Sequence, residues 1–374
     1  MTSKPQRYSR LTAGEPAPYF TGHETNNPRY VFDTAAGRYM ILCFFGSSQE
    51  PAAKAMFSEV LEKHRGLFDE DKFAFFGVTG DPRDEAQQTL QASLPGIRFF
   101  YDSDLAIARL YGAAPLDVPE QGGQIPVHCR WFVLDPTMRI LKMIPFRPDG
   151  QDRRDLIDYM QSLPPVARFA GIELQAPVIY LPGIFEPELC QELIGLYRTT
   201  GGVDSGFMRD VDGKTVEVRD YGRKSRRDYI ITEEPVLKEL NTRIIRRIVP
   251  EIKKVHQFTV SRIERHIVAC YSAEDKGHFA AHRDDTTKGT AHRRFAVTIN
   301  LNHEFEGGEL SFPEYGPRSF KPPPGGAVVF SCSLLHRVSQ VTKGERFAFL
   351  PFLYDEAARK VREANMKYLA TAGE

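Results

Sequence analysis

Residues 268–285 read VACYSAEDKGHFAAHRDD and residues 325–354 read GGAVVFSCSLLHRVSQVTKGERFAFLPFLY. Both are built from short apolar runs with turn-forming residues between them, the signature of successive short strands. In such a strand, or the extended segment beside it, alternate side chains share a face. His282 and Asp284 therefore point the same way while Arg283 points elsewhere. One imidazole and one carboxylate suit a divalent first-row metal. A second histidine from a distant strand would complete a 2-His-1-carboxylate set with open positions. His336, at the end of GGAVVFSCSLLH, is the candidate for that third place. Alone, H-x-D is a weak signal, because an exposed loop pair arises easily by chance in a chain this long. Arg346 strengthens it. It lies in GERFAFLPFLY, a segment otherwise filled with large apolar groups, on the face shared by Ala348 and Leu350. A buried guanidinium there needs an anionic partner, which a small carboxylate ligand would supply through a bidentate clamp. The plainer alternative is an edge-strand arginine whose head reaches water.

Working outward, the region from Val260 continues as RIERHIVACY, RFAVTINL, GELSF, GAVVFS and GERFAFLPFLY, all short β segments. Two amphipathic helices precede it, EPELCQELIGLYRTTGG and PVLKELNTRIIRRIVPEI, and DEAARKVREANMKYLA returns to helical spacing. Helices followed by regularly spaced strands predict a double-stranded β-helix, or jelly roll, with flanking helices. The first half differs. YMILCFF, FAFFGVTG, IRFFYD and RWFVLD read as strands, with helices EPAAKAMFSEVLEKHRGLF and DEAQQTLQASL between them, which predicts an α/β layer fold. The expected organisation is a first domain over 8–165, a linker over 166–176, the strand-rich domain over 177–358 and a C-terminal helix over 359–374.

The order H-x-D, a distant His, then Arg ten residues on, with LNHEFEGGELSF between, resembles the prolyl 4-hydroxylase branch of the Fe(II)- and 2-oxoglutarate-dependent dioxygenases. APVIYLPGIFEPELCQELI resembles the opening strand and helix of the same family. The resemblance implies iron held by His282, Asp284 and His336. It also implies 2-oxoglutarate bound by Arg346 and Tyr271, O2 as the other cosubstrate, ascorbate as a candidate accessory reductant, and release of succinate and CO2. Asn300, in TINLN, stands where some relatives place a second tyrosine on the cosubstrate. Leu310 and Val338 are expected as apolar walls of the cosubstrate pocket or as ordinary barrel core, with Thr298 a weaker candidate. His278, His292 and His303 are read as solvated loop histidines. RKSRRDY and the basic residues Arg243, Arg246, Arg247, Lys253 and Lys254 read first as a solvated helix face. Arg226 and Asp228 are nonetheless candidates for substrate contacts, because this part of such proteins often forms a substrate lip.

GEPAPYF, FAFFGVTGDPRDEAQQTL, IRFFYDSDLAIARLYGA and RWFVLDPTMRILKM, in that order, resemble the thioredoxin-fold peroxiredoxins. Where that family opens a helix with its nucleophilic cysteine, this chain reads GSSQEPAAKA. Cys43 and Cys129 lie in or beside strands instead, so the domain is expected to be redox-inactive and to serve structure or recognition.

Composition sets the outer limits. Among 374 residues, 49 Lys and Arg balance 49 Asp and Glu, so no global attraction to nucleic acid or an anionic membrane is expected. No apolar run approaches the ~20 residues that span a bilayer. The five cysteines form no C-x-x-C pair and read as reduced thiols, and the N-terminus lacks the apolar core of a secretory signal, which makes a cytoplasmic location the expectation. A peptide or small-molecule substrate is expected, and a homodimer is an open expectation. The leading function is hydroxylation of a prolyl residue or an amino-acid-like substrate. The alternatives are a small-molecule tailoring oxygenase with the same cofactors, and a redoxin-fold scaffold or peroxidase with a vestigial barrel.

Overall fold

The computed structural model describes residues 6–117 and 125–369. The chain forms two compact units, Met1–Gln175 with Pro313–Gly316, and Ala176–Phe312 with Pro317–Glu374.

The first unit is built on a seven-stranded sheet. Three parallel strands, Ile97–Tyr101, Phe73–Thr79 and Tyr39–Gly46, occupy its centre. Arg130–Leu134 and Ile140–Pro145 add antiparallel to one side, and the Thr21–Glu24 and Asn27–Val31 hairpin adds to the other. Tyr39–Phe45 and Phe73–Thr79 are buried throughout, as parallel strands covered on both faces require. Ile41, Cys43, Phe75, Trp131 and Val133 pack on one face with Met56, Val60, Leu156 and Met160 from the helical segments. This is the thioredoxin-like arrangement that the sequence predicts.

Two helices depart from their expected lengths. The segment after Glu50 is α-helical over Pro51–Met56, passes through a π-helical turn over Phe57–Glu62 and ends in a 3-10 turn at Arg65–Leu67. The helix read over 84–94 covers only Pro82–Ala86. Gln88 takes a left-handed conformation (φ 48°), and Thr89 folds back to donate its hydroxyl to Asp84 Oδ1 at 2.9 Å. Fully buried Asp84 also accepts from the Ser48 N–H at 3.0 Å and from the Ser48 and Thr79 hydroxyls. Local polar bonding thus outcompetes helix propagation.

In the second unit two sheets form the jelly roll. The smaller runs Lys224–Ser225, His278–His282, His336–Val338, Leu310–Ser311, Ser319–Phe320. The larger contains, in order, Arg262–Glu264, Phe352–Tyr354, Phe295–Asn300, Val341–Phe349, Ile267–Ser272, Arg227–Ile230 and Val203–Asp204. Helices Pro187–Thr200, Glu234–Arg247 and Val249–His256 cover its outer face; Pro250 separates the last two, which the sequence reads as one. Leu189, Leu193, Leu240, Ile244 and Ile252 pack there against Val268, Cys270, Val297, Ile299, Phe347 and Phe349. Strand alternation then assigns the opposite face: Ala269 and Tyr271, Thr298 and Asn300, Arg346 and Ala348 line the barrel interior. The C-terminal helix is Glu356–Asn365, followed by a turn at Met366–Tyr368; the part expected beyond 369 lies outside the described residues.

Asp84→Ala should leave one amide and three hydroxyls in the first unit without their acceptor. Such groups cost about 1–3 kcal/mol each when buried and partly re-solvate when freed, so a net loss on the order of 3 kcal/mol is expected. Chemical denaturation of the full chain measures it, and an unchanged midpoint would contradict the role given to this carboxylate.

Candidate metal and cosubstrate site

The antiparallel pairing of His278–His282 with His336–Val338 sets His282 opposite His336 and Phe279 opposite Val338. Ala280 and Ala281 on one strand thus stand opposite the single Arg337 on the other, an irregularity of the β-bulge kind. Without that extra residue, Phe279 and His282 would point to opposite faces. With it, both face inward, and the Phe279 ring stacks on His282 at 3.5 Å between centroids. Asp284 follows just beyond the strand, with its N–H donating to Cys332 O at 2.9 Å. Its carboxylate lies 3.6 Å from His282 Nε2 and 3.4 Å from His336 Nε2. Ligand atoms from the three residues fall within 4.8 Å of one another.

Both imidazoles are oriented from behind. His282 Nδ1 lies 2.8 Å from Ala280 O, and His336 Nδ1 lies 3.0 Å from Leu334 O. Donation to those carbonyls fixes the tautomer that leaves each Nε2 lone pair facing Asp284. Burial and the adjacent His282 push His336 down to about 4, so its ring is neutral near pH 7. Burial opposes ionisation of Asp284, yet His336 and His282 hold its carboxyl well below the usual range. A neutral His336 imidazole beside an ionised carboxylate suits a divalent cation.

The interior wall beside this cluster is cationic. Arg346 is 2% exposed and stands in register with Tyr271. Its Nε donates to Asn300 Oδ1 at 3.1 Å and its Nη2 to Thr298 Oγ1 at 2.9 Å. Nη1 is buried with no hydrogen-bond partner among the described residues. A buried unpaired guanidinium nitrogen is costly, and an incoming carboxylate oxygen would satisfy it. Asn300 and Thr298 thus hold the guanidinium from one side; Asn300 Nδ2, which donates to Pro322 O at 2.8 Å, is itself anchored. Leu310 and Val338 are register partners, buried, on the face that carries His336.

Several candidates stand elsewhere than the sequence suggests. RKSRRDY is not a solvated helix face. It forms strands Lys224–Ser225 and Arg227–Ile230, and Arg226 and Asp228 are buried rather than on a lip. Arg226 donates to both Asp228 oxygens at 2.7 and 2.6 Å, and its Nη1 lies 3.3 Å from the Tyr271 hydroxyl. Alternation turns both inward, where each charge offsets the other. His292 is not a solvated loop histidine either: it is buried, with Nε2 2.8 Å from Glu264 Oε2. Glu264 also accepts from Arg293 Nε at 2.9 Å, and Arg293 Nη1 reaches Asp284 O at 3.5 Å, so this network supports the backbone of a cluster residue. Sequence reading missed Glu264 and Arg293; the only available signal was the concentration of charges beside predicted strands.

In the first unit, no cysteine stands in GSSQEP. Ser47 there donates to Asp81 Oδ2 at 2.6 Å. Burial raises the Cys43 thiol well above its ordinary range and raises Cys129 as well. Such thiols are poor nucleophiles near neutral pH.

Comparison with known proteins follows the same division. The model of the 2OG-Fe(II) oxygenase superfamily matches residues 266–354, and that of the AhpC/TSA family matches residues 13–143. A PKHD-type hydroxylase of Paracoccus denitrificans (strain Pd 1222) is 29% identical over 149 residues, which cover 37% of this chain and 64% of the relative. One from Synechococcus sp. (strain JA-3-3Ab) is 27% identical over 123 residues, covering 31% and 50%. The chain thus spans between half and two thirds of the length of these relatives. Among solved structures, a prolyl hydroxylase from Trichoplax adhaerens in complex with a hypoxia inducible factor oxygen degradation domain peptide is 14% identical, with a TM-score of 0.41 over 58% of this chain and 97% of that one. Peroxidoxin BcpB from Mycobacterium tuberculosis is 15% identical, with a TM-score of 0.34 over 41% and 99%. Residues 13–143, on the thioredoxin-like fold, thus match the AhpC/TSA family, and residues 266–354, in the jelly roll, match the 2OG-Fe(II) oxygenase superfamily. That superfamily implies Fe(II), 2-oxoglutarate and O2, and the His282–Asp284–His336 cluster suits the metal. Among the described residues, no helix is long and apolar enough to cross a membrane.

Replacing both Cys43 and Cys129 by serine should leave 2-oxoglutarate turnover nearly unchanged. Thiol-dependent consumption of hydrogen peroxide by the intact protein, lost in Cys43→Ser, would show the first domain to be a peroxidase.

Proposed function

We propose that this chain is an Fe(II)- and 2-oxoglutarate-dependent hydroxylase acting on a prolyl residue or an amino-acid-like substrate, with release of succinate and CO2. In this reading His282, Asp284 and His336 hold the iron. Arg346 clamps the distal carboxylate of 2-oxoglutarate, and Tyr271, Asn300, Leu310 and Val338 complete its pocket. The observation that carries the reading is the buried Nη1 of Arg346, without a partner, on the interior wall of the barrel that also holds the metal cluster. The PKHD-type and prolyl hydroxylase names of the relatives support the substrate class.

When bound, iron and 2-oxoglutarate supply the oxidant that converts a substrate C–H to C–OH with O2. The chain supplies position and shielding. Ala280 O and Leu334 O fix the two imidazoles, and Asn300 with Thr298 fixes the guanidinium plane. Phe279 against His282, and Phe312 and Phe330 near His336, exclude water around the ligands. A cytoplasmic setting belongs to the same reading, supported by five cysteines that are all free.

The test is succinate production by the purified chain with Fe(II), 2-oxoglutarate and O2, with and without ascorbate. Asp284→Ala should abolish it, and undiminished turnover would overturn the metal assignment. Arg346→Ala should keep the metal but weaken 2-oxoglutarate binding by hundreds-fold, since truncating one member of a buried charged pair costs about 3–5 kcal/mol. Calorimetry that found equal affinity would point to another carboxylate partner.

A further inference from the structure

The cosubstrate reading uses Arg346 and leaves Arg265 without a task. Arg265 lies between strands Arg262–Glu264 and Ile267–Ser272 in a left-handed backbone conformation, φ 63°. A β-carbon disfavours that conformation, so it is kept against a local cost, as often happens where a side chain must be aimed. Its side chain turns to the interior charges: Arg265 Nη2 lies 3.4 Å from Asp228 Oδ2, and its guanidinium packs over the Phe352 ring at 5.7 Å. Arg293 covers the same ring at 4.0 Å and reaches the Asp284 backbone.

The charges around Arg265 do not balance. Asp228 is already engaged by Arg226 through two short bonds, so one carboxylate faces two guanidiniums. Glu264 is taken by His292 and Arg293. The excess of cations registers on a neighbour: burial and Arg226 push the Lys224 amine down to about 6. Access also separates Arg265 from the others. Its side chain is 34% exposed, whereas those of Arg226 and Asp228 are 6% and 9% exposed. A partly exposed guanidinium that shares Asp228 with Arg226, over the same ring that Arg293 covers on its way to the Asp284 backbone, can receive a further carboxylate.

We infer that Arg265 binds a carboxylate of the substrate and holds it beside the His282–Asp284–His336 cluster, which makes the substrate a small carboxylate-bearing, amino-acid-like molecule rather than an internal residue of a peptide. This inference rests on the oxygenase reading and narrows it. Arg265 acts here as a specificity residue distinct from the Arg346 clamp.

The experiment uses the full chain loaded with Mn(II) and saturating 2-oxoglutarate, so that Arg346 is occupied. Two probes share one ring and differ in charge: N-acetyl-L-proline, an anion, and N-acetyl-L-proline methylamide, which mimics an internal residue. Paramagnetic broadening of their proton resonances reports residence near the metal. The anion should be broadened at least 10-fold more than the amide. Arg265→Gln should abolish that preference, and Arg265→Lys, which keeps the charge, should restore part of it. Equal broadening of both probes, broadening of neither, or a preference that survives in Arg265→Gln would each overturn the inference. Should the glutamine variant fail to fold, the Lys variant carries the test, because loss of bidentate geometry should still reduce the preference several-fold. Turnover of 2-oxoglutarate by the wild-type chain separates the two levels: turnover without a preference for the anion defeats only this inference, whereas absence of metal or 2-oxoglutarate binding defeats the oxygenase reading itself.

Discussion

The second unit depends on one register. His282 faces His336 across an antiparallel strand pair only because the chain inserts an extra residue between Phe279 and His282. A one-residue slip in such a pair sends every side chain to the other face, so the irregularity decides whether the imidazole enters the barrel or leaves it. Once it enters, the other geometry follows. The Phe279 ring covers one side of His282, Asp284 falls within reach of both imidazoles, and Val338 and Leu310 extend the same inner wall.

A second constraint is electrostatic. The larger sheet gives its outer face to Val268, Cys270, Val297, Ile299, Phe347 and Phe349 beneath the helices. Its inner face receives Tyr271, Thr298, Asn300 and Arg346, joined by Arg226 and Asp228. Burying several cations in one barrel is unfavourable unless anions meet them. The chain supplies Asp228 and Glu264 and leaves Arg346 Nη1 unpaired. In the proposed reading a bound carboxylate would offset this imbalance, which would link the stability of the fold to what it binds.

Much of this was legible from alternation alone. His282 with Asp284, and Arg346 with Ala348, share faces by parity, and the apolar residues around Arg346 mark the other face as the one beneath the helices. The parallel core of the first unit announced itself through unbroken apolar runs such as YMILCFF. What stayed hidden depended on partners far apart in sequence or on backbone conformations without a residue signature. Arg226 and Asp228 look like surface charges until strand pairing turns them inward. Asn300 and Thr298 become guanidinium supports only once Arg346 is placed between them. Arg265 in a left-handed conformation carries no glycine to flag the turn, and the helix expected over 84–94 stops because Asp84 and Thr89 bond to each other. The likeness to prolyl hydroxylases and peroxiredoxins came from ordered motifs rather than from such local details.

The most direct test of the central claim is an anaerobic titration of 2-oxoglutarate into the Fe(II)-loaded full chain, followed by visible absorption. A cosubstrate that chelates an iron held by His282, Asp284 and His336 should produce a metal-to-ligand charge-transfer band that saturates at one equivalent per chain. Iron bound at one per chain with no such band at any 2-oxoglutarate concentration would contradict the account.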